Sequence, residues 1–126
     1  MKLHQIFSNI KVACLQGKSY ITVNYSKFIV NFFTILYLNG FIANFKVLNN
    51  FKIKVYITYL SNSLSIFQSL KIMSKGSKKN YISFNKLVFF FNNKFCIVST
   101  SKGLLTNFQA IKKRVGGELV CLRYFF

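Results

Sequence analysis

From Phe28 to Phe45 the chain runs eighteen residues without a charged side chain. A run of that length admits two folds: a helix crossing a bilayer, or a buried helix followed by a strand. The residues within it decide. Asn31, Asn39 and Asn44 interrupt the apolar sequence, and Asn39-Gly40 is a helix stop. Before that stop about a dozen helical residues remain, fewer than the roughly twenty a span requires. A buried helix and a strand are therefore expected. A basic, membrane-associated protein is the alternative, and it predicts recovery with lipid. The first residues, Met1-Lys2-Leu3-His4-Gln5, carry no cleavable apolar core.

The rest of the N-terminal half supports a small α/β unit. Leu3, Ile6, Phe7, Ile10 and Cys14 recur at helical intervals and end near Gly17. Lys18 to Val23 alternates, with Ile21 and Val23 on one face and Tyr20 and Thr22 on the other. Ser26 is placed as the N-cap of a second helix, Lys27 to Leu38, closed by Gly40. Phe41 to Val47 and Phe51 to Leu60 read as strands around an Asn49-Asn50 turn, with Lys52 and Lys54 on the face opposite Ile53, Val55 and Ile57. The expected order is α-β-α-β-β over residues 1–62.

Residues 63–126 read as a β-rich unit with one short helix, so the fold class is α+β. Alternating residues run to Met73, then a basic loop, Lys75-Gly76-Ser77-Lys78-Lys79. Tyr81 to Phe84 and Phe95 to Thr100 read as strands, Thr106 to Lys113 as a helix capped by Thr106, and Glu118 to Tyr124 as a closing strand after a Gly116-Gly117 turn. Lys112, Lys113 and Arg114 lie at the helix C-terminus, where the dipole favours cations.

Charge then excludes most chemistry. Lys and Arg total 18 against one acid, Glu118, for a net charge of +17. No carboxylate pair exists for acid–base work, and no carboxylate cluster for Mg²⁺ or Ca²⁺. One histidine and three widely spaced cysteines, Cys14, Cys96 and Cys121, fit neither a zinc site nor a disulfide framework. A serine or cysteine nucleophile would have His4 as its only base. His4 and Cys14 lie about three helical turns apart, too far to hydrogen-bond. No catalytic residue, metal, cofactor or small-molecule substrate is expected. A polyanion is the expected partner. Phe, Lys, Ile and Asn, all with AT-rich codons, make up 58 of 126 residues, while Pro and Trp are absent. This is the composition of a strongly AT-biased genome, such as an organelle's, with an AT-rich bacterium or protist nucleus as the alternative.

Three motifs suit RNA. The basic loop, with Lys75, Lys78 and Lys79, precedes Tyr81; cations neutralise phosphate and an aromatic face stacks on a base, although a lysine-rich tip taken alone is more often a solvated turn. Ser99-Thr100-Ser101-Lys102-Gly103 follows an apolar strand and packs hydroxyl donors, a cation and a glycine into one turn. It can equally be a serine-rich turn that satisfies its own backbone. Gly116-Gly117-Glu118 allows a sharp reversal. Glu118 then either fixes the turn by pairing with a cation or hydroxyl, or accepts from a base edge.

Ile97-Val98-Ser99-Thr100-Ser101-Lys102-Gly103-Leu104-Leu105-Thr106, followed by Val115-Gly116-Gly117-Glu118-Leu119, closely resembles the C-terminal signature of small-subunit ribosomal protein eight, bacterial type. The resemblance covers nearly the whole chain: Ile10-Lys11, Lys18, Thr22, Ser26-Lys27, Gly40-Phe41-Ile42 and Phe45-Lys46-Val47 fall at the family's spacings. It implies a two-part fold and a non-catalytic assembly protein bound to a stem in the central domain of small-subunit rRNA. The RNA-binding residues it implies are Ser99, Thr100, Ser101, Lys102 and Gly103, with Tyr81 and Lys75 beside them, and Lys11 and Lys27 on the N-terminal part. Implied neighbours are small-subunit protein five, then proteins two, twelve and seventeen. Gly76 stands where the family has proline, Val12 replaces an asparagine, and the acids expected around Gly40 are absent. Together with the Phe enrichment, these departures make the mitochondrial matrix, in the small subunit of the mitochondrial ribosome, the expected location, with a plastid ribosome as the alternative.

Overall fold

A computed structural model describes residues 3–49, 51–59, 65–73, 79–90 and 94–123. They form two compact units, residues 1–68 and 69–126. Phe67 packs on Phe7 of the first helix, with ring centroids 4.8 Å apart, so the residues just beyond the expected division at 62/63 share the first unit's core.

The first unit has the order α1 (Leu3–Leu15), β1 (Tyr20–Asn24), α2 (Lys27–Leu38), β2 (Asn44–Asn49) and β3 (Lys52–Tyr56). The strands form an antiparallel sheet in the order β1-β3-β2. Each helix turns one apolar stripe inward: Ile6, Phe7, Ile10 and Cys14 from α1, and Ile29, Phe32, Phe33 and Leu36 from α2. Val23, Ile53 and Val55 meet them from the sheet. Each fully buried apolar side chain of this size contributes about 1.5–3 kcal/mol. The uncharged run resolves into the twelve-residue helix α2, an irregular segment holding the buried Phe41 and Ile42, and β2. The strand thus begins at Asn44 and not at Phe41. Ser26 occupies the extended N-cap position, but its side chain makes no capping bond. Among the described residues no helix is long and apolar enough to cross a membrane.

The second unit is organised around β8 (Gly117–Arg123). One edge of β8 pairs antiparallel with β6 (Cys96–Thr100), which continues through a hairpin into β7 (Gly103–Thr106). The other edge takes two short strands end to end: β4 (Leu70–Ile72) at Cys121–Arg123 and β5 (Tyr81–Ile82) at Gly117–Glu118. The β6–β8 register slips between Ile97 and Val98, leaving Val120 as an extra residue in β8. Such a bulge bends the strand and raises its twist.

Two helices flank this sheet. α4 (Asn107–Lys112) begins with a complete capping box: Thr106 Oγ1 accepts from the Gln109 N–H at 3.2 Å, and Gln109 Oε1 accepts from the Thr106 N–H. α3 (Phe84–Phe90) begins at Phe84, where the sequence pattern alone ends a strand. It starts one residue after Ser83, whose carbonyl accepts from the Leu87 N–H at 2.9 Å. It buries Leu87 with Ile82, Cys96, Val98, Leu105, Ala110 and Leu119.

Candidate RNA interface

The Ser99–Gly103 segment is the tip of the β6–β7 hairpin, with Thr100 paired to Gly103. Ser101 and Lys102 therefore form its two-residue loop. Gly103 has φ +100°, a backbone region that L side chains rarely adopt. Thr100 holds the turn from within: its hydroxyl accepts from the Lys102 N–H at 3.1 Å and donates to the Gly103 carbonyl at 2.9 Å. Its donor is thus spent on the loop. Ser101 and Lys102 are exposed, and their side chains make no hydrogen bond among the described residues.

Two glycines fix where this tip sits. A Cβ on Gly117 would lie 2.2 Å from the Ser99 carbonyl oxygen, so only glycine lets β8 approach β6 so closely. A Cβ on Gly116 would lie 2.5 Å from the Ile82 carbonyl oxygen and 2.8 Å from the Phe84 nitrogen. The Gly-Gly pair is a packing device that holds β5 and β6 tightly to the start of β8. The chain reverses before it at Arg114, which has φ +57° just beyond the end of α4.

Glu118 stands between two of the expected contacts. It pairs with Ser99 across one edge of β8 and with Tyr81 across the other. Directly opposed residues of an antiparallel ladder project to the same face. Tyr81, Glu118 and Ser99 therefore form a row on one side of the sheet. Tyr81 is 72% exposed, and Glu118 and Ser99 are half-buried. Outside the backbone ladder, the Glu118 carboxylate has no ion-pair or hydrogen-bond partner among the described residues. The expectation that it fixes the turn by such a pair finds no support there.

Beside this row, Tyr81, Ser83, Lys86 and the two glycines line an open groove. Lys86 and Ser83 were not anticipated, because α3, which carries Lys86, was not. Lys75 and Lys78 lie outside the described residues. The residues flanking that loop do not. Met73 donates its N–H to the Val120 carbonyl at 2.9 Å, and the Asn80 carbonyl accepts from the Leu119 N–H at 2.7 Å. The Asn80 side chain also donates to the Met73 carbonyl. Lys79, next to Asn80, is exposed.

Asn107 anchors the hairpin from below and was not foreseen. It is fully buried, accepts from the Cys96 N–H at 3.1 Å and donates to the Lys94 carbonyl. Lys11 and Lys27 belong to the first unit. Lys11 is half-buried on α1 and its charge acts on the Cys14 thiol, while Lys27 is exposed at the first position of α2.

The cysteines are free and buried. Burial pushes the Cys96 thiol up to about 12, and raises Cys121 and Cys14 as well. Such thiols are protonated and unreactive near neutral pH. No group of three or more His, Cys, Asp or Glu able to hold a metal occurs among the described residues. The surface chemistry left is that of cations, hydroxyls, one carboxylate and an aromatic ring.

Comparison with known proteins shows the family. The model of the ribosomal protein S8 family matches residues 2–124. The chain is 31% identical over 121 residues to the small ribosomal subunit protein uS8 of Chlamydia trachomatis serovar L2b, covering 93% of this chain and 91% of that one. It is 32% identical over 118 residues to uS8 of Wolinella succinogenes, covering 90% of each. Against uS8 of Buchnera aphidicola subsp. Cinara cedri it is 32% identical over 108 residues, covering 83% and 82%.

Proposed function

Because the chain belongs to the ribosomal protein S8 family, we infer that its work in the small ribosomal subunit centres on the Ser99–Gly103 hairpin and the row beside it. It is a structural, non-enzymatic constituent of that subunit. The hairpin binds a stem in the central domain of the rRNA and supports assembly. The observation that carries this reading is the row of Tyr81, Glu118 and Ser99 next to a hairpin tip of exposed Ser101 and Lys102.

A-form RNA presents a wide, shallow minor groove with 2′-hydroxyls and base edges. Ser101 and Ser99 supply hydroxyls to that surface. Lys102, Lys79 and Lys86 supply charge to phosphates, as do Lys75 and Lys78 of the basic loop. Glu118, which can only accept when ionised, matches 2′-OH and exocyclic amino donors. Tyr81 offers its ring to a base or sugar. Lys11 and Lys27 contact the RNA backbone from the first unit. Neighbours in the subunit are protein five, with two, twelve and seventeen as further candidates. The AT-biased composition supports an organellar ribosome, mitochondrial before plastid.

The test is salt-dependent binding to the rRNA stem. Six to ten phosphate contacts reduce affinity by roughly 10³- to 10⁵-fold between 50 and 200 mM salt on duplex DNA, and a folded RNA follows the same law with its own slope. Lys102→Ala is expected to weaken binding and to lower the salt slope by about one unit. An unchanged slope refutes the role given to Lys102. Sucrose-gradient fractionation of organelles at high salt checks the location: the chain is expected to travel with the small ribosomal subunit.

A further inference from the structure

The outer face of the first unit's sheet carries a second pattern. Its register aligns Tyr20 with Tyr56 and Asn44, and Thr22 with Lys54 and Lys46, while Asn24 faces Lys52. Each set shares one side of the sheet. The helices cover the other side, where Val23, Ile53 and Val55 are buried. The outer side therefore presents Lys46, Lys52 and Lys54 with Tyr20 and Tyr56.

Three features set this face apart from an ordinary solvated sheet. Lys46 and Lys54 stand directly opposite each other, an arrangement that destabilises a sheet. Among the described residues no carboxylate pairs with them, and the strands of this sheet contain no acid. Neutral groups hold two of the lysines in place. The Lys54 ammonium sits 4.0 Å from the Tyr20 ring centroid and 5.1 Å from that of Tyr56, and Lys52 donates to Asn24 Oδ1 at 2.8 Å. The cations are thus positioned with their charge unneutralised. Tyr20 is 48% exposed, and Lys46, Lys52 and Thr22 are exposed.

We propose that this face is a second RNA-binding site, a platform on which an unpaired RNA segment lays its phosphates over Lys46, Lys52 and Lys54 and stacks bases on Tyr20 and Tyr56. An anionic strand relieves the Lys46–Lys54 repulsion. Aromatic faces select unpaired RNA over a stem, because bases in a duplex are already stacked on each other. An acidic protein surface would satisfy the lysines and leave the rings unused. The proposal takes from the family assignment only that RNA is at hand. Its residues share none with the Ser99–Gly103 hairpin.

The full chain is titrated with a fluorescein-labelled uridine dodecamer, followed by ultraviolet crosslinking and peptide mass spectrometry. Crosslinks are expected at Tyr20 or Tyr56. The double variant Tyr20→Leu/Tyr56→Leu should lose these crosslinks and bind at least fivefold more weakly, whereas Tyr20→Phe/Tyr56→Phe should retain affinity. Lys46→Gln/Lys54→Gln should lower the salt slope by about 1.4 units, at roughly 0.7 per phosphate on a single strand. Unchanged affinity and slope in both double variants overturn the proposal. So does an effect of the lysine pair without one of the tyrosine pair, which would leave only diffuse attraction. Crosslinks from Tyr20 and Tyr56 to a protein in assembled small subunits also overturn it. Lys102→Ala, measured on the stem, reads the hairpin separately, so either site can fail without the other.

Discussion

Replacing Gly117 with alanine should damage the second unit more than any other single methyl added at a glycine of the hairpin or the helix ends. The new Cβ would lie 2.2 Å from the Ser99 carbonyl oxygen, 3.0 Å from its carbonyl carbon and 3.1 Å from Thr100 Cα. Ordinary carbon–oxygen contact begins at about 3.3 Å. All three obstructing atoms are backbone, so no side-chain rotation gives relief, and β6 must move about 1 Å away from β8. A ladder hydrogen bond of about 2.9 Å stretched by that amount is lost. Overpacking costs about 1–3 kcal/mol, and one or two lost backbone bonds add about 1 kcal/mol each. The total is about 2–5 kcal/mol, a large share of the 5–15 kcal/mol typical of a domain. Gly17→Ala is the control: at φ +72° with nothing within 4 Å of its Cβ, it carries only conformational strain, about 1–2 kcal/mol. Urea unfolding gives the stability difference. Amide exchange over 96–106 and 117–123 shows whether the β6–β8 pairing opens, and stem binding shows whether the hairpin is displaced. If Gly117→Ala costs no more than Gly17→Ala and binds the stem normally, the packing argument is wrong.

Asn107→Leu should destabilise by about 2–4 kcal/mol, since it takes a partner from the buried Cys96 N–H and from the Lys94 carbonyl while keeping the same branched heavy-atom skeleton; a thermal midpoint within a degree of wild type would contradict this. The Cys96 thiol, raised from 9.0 to about 12, holds its proton more tightly in the folded chain than in the unfolded one. Its contribution to stability is therefore complete below pH 9 and is lost as pH rises toward 12. Alkylation by iodoacetamide, followed by mass spectrometry, should leave Cys96 and Cys121 unmodified at pH 8 until urea unfolds the chain. Rapid native labelling of either would show that the thiols are accessible.

The helices and sheet of the first unit were legible because their signals are local. Stripes at three- and four-residue spacing mark α1 and α2, Gly17 and Gly40 stop them, and the Ile53–Val55–Ile57 alternation marks β3. The α3 segment was not legible, since a run of phenylalanines suits a strand as well as a helix and only the packing of Leu87 selects between them. The same division holds at the hairpin. Its serines, lysine and glycine announce a donor-rich turn. Nothing local indicates that Thr100 spends its hydroxyl on Gly103, or that Gly117 is required by a carbonyl eighteen residues earlier. The pairing of Glu118 with both Ser99 and Tyr81 depends on sheet order, which single-segment patterns do not encode.

Strand β8 is also a clock. Its partners β4, β5 and β6 all precede it in the chain, and the outermost pair joins Leu70 to Arg123. During synthesis these strands emerge first and wait, with the edges that will face β8 unmatched, for the strand between them. Pairings so distant in sequence form slowly, because loop closure comes before any reward. Residues 1–68 contain their own sheet and can collapse while the remainder is still being made. The hairpin then takes up its final position only once residues 117–123 have been translated. A nascent chain stalled ahead of Gly117 should thus hold a folded first unit while the β6–β7 hairpin still lacks the strand that seats it.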